Sequence, residues 1–65
     1  MNDIIDSINA HLRAAEVANL PSVVGELNFA MSLARNLPSS ERWVYVERAK
    51  DIAIARGVPF DYYDL

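Results

Sequence analysis

The sequence predicts an all-α fold, a small three-helix bundle with proline-containing turns and a short aromatic C-terminal tail. Two observations predict it. Apolar residues recur three and four positions apart in three successive segments, the spacing that builds one stripe on a helix. Between the segments stand Asn-Leu-Pro-Ser at 19–22 and 36–39 and Gly-Val-Pro at 57–59, residues that end one helix and open the next.

The first segment carries Ile4, Ile5, Ile8, Leu12 and Ala15 on one stripe, with Asp6, Asn9, Arg13 and Val17 on the other side. Asn2 or Asp3 can accept hydrogen bonds from free backbone amides, and Asp6 suits the positive end of the helix dipole. Helix 1 is placed at about residues 3–18. Pro21 lacks an amide hydrogen and disfavours helical geometry at Leu20, so a turn is expected at Asn19–Leu20.

Helix 2 is expected over about 22–36, with Val23, Val24, Leu27, Ala30, Met31 and Ala34 on its main stripe. Phe29 and Leu33 fall outside that stripe and are adjacent on the helix surface, which widens the apolar face. A central helix touching two neighbours needs such a face, and so does a helix in a dimer interface. The Asn-Leu-Pro-Ser tetrapeptide occurs twice, but the residues after each copy share no pattern. It is therefore turn chemistry rather than a duplication, with leucine closing one helix and serine capping the next.

Helix 3 is placed at about 39–56, with Tyr45, Val46, Ala49, Ile52 and Ala53 on one stripe. Gly57 can take the left-handed conformation that ends helices, Val58 can fold back on Ala53, and Pro59 forbids continuation. The tail at 57–65 is rich in aromatics: Phe60, Tyr62, Tyr63 and Leu65 alternate with Asp61 and Asp64. It is expected to dock on the bundle, with presentation to another protein as the alternative.

Composition bounds the function. The chain is a single helical domain of 65 residues with a net charge of −3, no cysteine and one histidine. A chain of this size buries only about 60% of the surface its unfolded form exposes. Disulfides and metals, the usual supports of small folds, find no residues to work with, which leaves self-association. Asp3 and Asp6 stand where a secretion signal needs positive charge, and no apolar run suits a membrane span; a cytoplasmic protein without membrane contact is expected.

No catalytic, cofactor-binding or metal-ligating residue is assigned. His11 has no companion ligands at zinc spacing. Gly25 and Gly57 are isolated and build no phosphate loop. Glu47 and Asp51, four apart, share helix 3 with Arg48 and Lys50 as a mixed-charge solvated face. Helices 2 and 3, joined by a short turn, allow a helix-turn-helix-like DNA-binding regulator as the alternative function. Four of six basic residues, Arg42, Arg48, Lys50 and Arg56, lie on helix 3, yet Glu41, Glu47 and Asp51 interleave with them and the chain is acidic.

Surplus apolar and aromatic surface is the signal that remains. Trp43 and Ile54 point away from the Tyr45/Ala49/Ile52 stripe, as Phe29 and Leu33 depart from that of helix 2. Tryptophan, tyrosine and arginine are favoured interface anchors, and Trp43 stands beside Arg42. The candidate interface is therefore Phe29, Leu33, Arg42, Trp43, Ile54, Phe60, Tyr62 and Tyr63. Nine alanines, among them Ala15, Ala30, Ala34 and Ala49 on the stripes, permit close helix approach. These features describe a non-enzymatic interaction or regulatory protein, a homodimer with a possible further protein partner.

In length, composition and helical character the whole chain resembles the small accessory proteins encoded in the early regions of temperate bacteriophages. The resemblance carries no motif, so no functional residue is transferred. It implies a role in modulating host or phage regulation.

Overall fold

A computed structural model describes residues 3–60 as three helices: α1 (Asp3–Val17), α2 (Leu20–Ala34) and α3 (Ser39–Arg56). No strand occurs among the described residues. The three helices pack into a flattened bundle of 29 × 24 × 14 Å with a radius of gyration of 10.9 Å. One core joins them. Ile8, Leu12 and Ala15 come from α1, Val23, Leu27, Ala30, Met31 and Ala34 from α2, and Val46, Ala49 and Ala53 from α3. These positions repeat at three- and four-residue spacing, so burial follows from the helical period. No polar or charged residue is buried among those described. Core specificity thus rests on shape, with alanines at Ala15, Ala30, Ala34, Ala49 and Ala53 letting the helices approach closely.

Helix α1 ends one residue before the expected boundary, at Val17, and α2 differs from the sequence expectation at both ends. Helix α2 starts at Leu20, not at Ser22, because proline is tolerated in a first turn, where its missing amide has no intrahelical partner to lose. Asn19 is the capping residue in extended conformation, and its carbonyl accepts the Ser22 amide at 2.8 Å. The helix also stops earlier, at Ala34 rather than Asn36. Its last turn tightens as the Asn36 and Leu37 amides donate to the carbonyls of Leu33 and Ala34 at 3.1 and 3.0 Å.

Serine caps neither helix. Neither α2 nor α3 has a side-chain cap bond, and Pro38 precedes α3, its carbonyl accepting the amides of Glu41 and Arg42. The two Asn-Leu-Pro-Ser copies also sit differently: Leu37 is buried in the core while Leu20 is exposed. Identical tetrapeptides thus serve different geometry, because the neighbouring helix surfaces decide which leucine is covered.

At the end of α3, Gly57 takes φ 68°, and the Gly57 and Val58 amides donate to the carbonyls of Ile54 and Ala53. This is the six-to-one and five-to-two pairing that satisfies a helix terminus through a left-handed residue. Val58 and Phe60 then pack against the core as half-buried side chains. Asp61, Tyr62, Tyr63, Asp64 and Leu65 lie outside the described residues, as does Asn2.

Candidate interaction surface

Helix α3 has two faces with separate tasks. The inner face holds Val46, Ala49 and Ala53, flanked by half-buried Tyr45 and Ile52. The same side carries two arginines that fasten the bundle. The Arg42 guanidinium donates to the Leu37 carbonyl at 3.0 Å, and Arg56 donates to the carbonyls of Ala15 and Glu16 at 2.9 and 2.7 Å and to that of Ala18. Each arginine therefore places a cation at the negative end of another helix, Arg42 just beyond α2 and Arg56 at α1. Helix α1 has no basic residue in its own last turn, so Arg56 supplies from across the bundle what the local sequence lacks. A third link is Arg48 to the Asn9 side chain at 2.6 Å.

The outer face is apolar at both ends and charged in the middle. Trp43, Val44 and Ile54 are 52%, 56% and 79% exposed. Glu47 and Lys50 lie between them on the same side, since residues 43, 47, 50 and 54 follow helical spacing. The Lys50 ammonium stands 5.5 Å from the centre of the Trp43 ring, a cation–π contact within the same helix. Glu47 makes no hydrogen bond or ion pair with any described residue.

The other sequence candidates separate from this face. Phe29 is exposed but belongs to the seam of α1 and α2, where its ring stacks on His11 at 4.8 Å between centroids. His11 in turn meets the Glu26 carboxylate at 2.9 Å through Nδ1, so the single histidine ties α1 to α2. Leu33 and Phe60 are packed against the bundle's own core, and the Arg42 guanidinium is taken up by the end of α2. Of the eight proposed residues the structure thus brings two together on one exposed face, Trp43 and Ile54, and adds Val44. Tyr62 and Tyr63 fall outside the described residues.

A groove lined by Glu16, Arg48, Asp51, Ile52 and Arg56 runs along the seam of α1 and α3. Its arginines already hold Asn9 and the α1 carbonyls. No group of three or more His, Cys, Asp or Glu among the described residues is placed to hold a metal ion, and none of their helices is long and apolar enough to cross a membrane. Comparison with known proteins finds no matching family model, no matching curated protein and no matching solved structure.

Proposed function

We propose that this chain is a small non-enzymatic interaction protein that carries its recognition surface on the outer face of α3. One observation carries the reading. The largest side chain in the sequence, Trp43, is half exposed, with exposed Val44 next to it and exposed Ile54 at the far end of the same helix face. Exposed tryptophan beside aliphatic residues and a charged rim is the composition of an interface centre, where a buried aromatic supplies most of the binding energy. Self-association and a further protein partner both fit such a face. A cytoplasmic accessory role in host or phage regulation is the biological setting we propose, on the basis of size, acidity and helical character alone.

The aromatic tail fits the same reading as a docked segment. Val58 and Phe60, half-buried against the core, support docking of the first residues after Gly57.

The DNA-binding alternative draws less support. Three of the four cations of α3 are hydrogen-bonded within the chain, Arg42 and Arg56 at helix ends and Arg48 at Asn9, which leaves Lys50 beside Trp43. A DNA reader instead needs a row of cations free to meet phosphates. The experiment is a comparison of binding by the wild-type chain with that by Trp43→Ala and Ile54→Ala, using capture from a lysate of the native host and retention on duplex DNA at rising salt. Loss of protein capture in both variants with helicity intact supports the reading. Salt-sensitive DNA retention that both variants keep contradicts it.

A further inference from the structure

We infer that the outer stripe of α3 pairs with the same stripe of a second copy of this chain, antiparallel about a two-fold axis passing between Glu47 and Lys50. The inference rests on the reading that this face mediates recognition, and it names the partner and the register.

The stripe reads Trp43, Glu47, Lys50, Ile54, with steps of four, three and four residues. That pattern is a palindrome in spacing: apolar, charged, charged, apolar. A two-fold axis perpendicular to the helix and midway along the stripe sets Trp43 level with the partner's Ile54 and Glu47 level with the partner's Lys50. The two-fold repeats each pair, so two apolar contacts flank two opposite-charge contacts. This is the self-complementarity that an isologous interface demands.

The two central charges have opposite sign, which selects the direction of pairing. In a parallel arrangement Glu47 would meet the partner's Glu47 and Lys50 the partner's Lys50, and both contacts would be repulsive. Only the antiparallel register satisfies all four positions. Glu47 has no partner among the described residues of its own chain, although Lys50 is one turn away, because the Lys50 ammonium lies toward Trp43. The carboxylate is therefore available to the second copy. Asp51, the next acid along α3 and one turn from Glu47, lines the groove with Arg48 and Arg56 on the side toward α1.

Size sets the strength. The stripe extends about 17 Å from Trp43 to Ile54, at a helical rise of about 1.5 Å per residue. A standard interface takes about 800 Å² from each partner, close to a fifth of this chain's 4254 Å². One helix stripe covers less than that, so the pair forms at micromolar rather than nanomolar concentration.

The test is a charge exchange read by sedimentation equilibrium on the full chain. Glu47→Lys places lysine opposite lysine at both contacts, and Lys50→Glu places acid opposite acid. Each variant alone should raise the dimer dissociation constant about tenfold or more, since two pairs are lost and two repulsions gained. An equimolar mixture of the two variants restores both pairs, because the lysine introduced at position 47 of one then faces the acid introduced at position 50 of the other. The mixture should associate at least as well as wild type. Both substituted positions are on the outer face, and circular dichroism verifies that each variant keeps its helices. A wild-type chain that stays monomeric to millimolar concentration overturns the inference, as does a dimer whose association neither variant nor the mixture alters. If the monomeric chain still loses capture of another protein on Trp43→Ala, the face is a recognition surface for a different partner and only the pairing falls.

Discussion

Arg56→Ala removes the fastening between the last turn of α1 and the end of α3. The wild-type guanidinium donates to three carbonyls, those of Ala15, Glu16 and Ala18, with the first two at 2.9 and 2.7 Å. A hydrogen bond from a charged donor contributes about 1.5–3 kcal/mol when well shielded. Arg56 is half-buried and the carbonyls it leaves can turn in part to water, so the three together are worth about 2 kcal/mol rather than their sum. For a chain of this length each kcal/mol shifts the melting midpoint by about 4–8 °C, which gives a fall of about 8–16 °C. Thermal unfolding by circular dichroism, at one fixed low protein concentration, measures it. Arg56→Lys is the informative companion: its ammonium keeps the favourable charge at the α1 terminus but cannot span three carbonyls, so it should recover less than half the loss. A melting midpoint within a degree of wild type in Arg56→Ala would refute the reasoning and make the arginine a solvated side chain.

The remaining predictions concern backbone and core. Gly25→Ala should stabilise by about 0.5–1 kcal/mol, because the position is exposed in mid-helix and an added Cβ meets nothing within 4 Å. Gly57→Ala should do the opposite and cost about 1 kcal/mol or more: space is free there too, but φ 68° is strained for any residue with a Cβ. Urea titrations of the two variants should therefore move in opposite directions. Leu27→Ala, at a fully buried site in the core that joins the three helices, should cost about 3–5 kcal/mol and leave a chain that is largely unfolded by circular dichroism. Phe29→Ala, in contrast, removes a ring that is mostly exposed beside His11 and should lower stability by less than about 1 kcal/mol.

What the sequence disclosed and what it concealed divide along a physical line. Ile8, Leu12, Leu27, Val46 and Ala49 can be assigned to the core because helical period alone carries each of them to the inner side. Trp43 and Ile54 separate from that core by the same geometry, and they are exposed. Leu33 is harder to place. It sits at the margin of the α2 stripe, and which margin a third helix covers depends on the direction of packing, which one sequence does not encode locally. Leu37 stands in a connection without periodicity, so nothing marks it as buried. The two capping arginines are concealed for a different reason. Arg56 and its acceptors lie about forty residues apart, and along the chain Arg56 reads only as one of the four basic residues of helix 3. The absence of any basic residue in the last turn of α1 is the one local sign that a cation has to come from elsewhere.

If the outer face of α3 is covered when the protein works, Trp43 reports on it directly, because it is the chain's only tryptophan. In the isolated chain the indole is about half exposed. Fluorescence emission followed from submicromolar to several hundred micromolar protein should shift to the blue as the face is buried by the second copy, with a midpoint that matches the sedimentation data. The shift should vanish in Glu47→Lys over the same range. Emission that stays at the same wavelength throughout, in a sample that sedimentation shows to be associating, would place the contact on another surface and contradict the account.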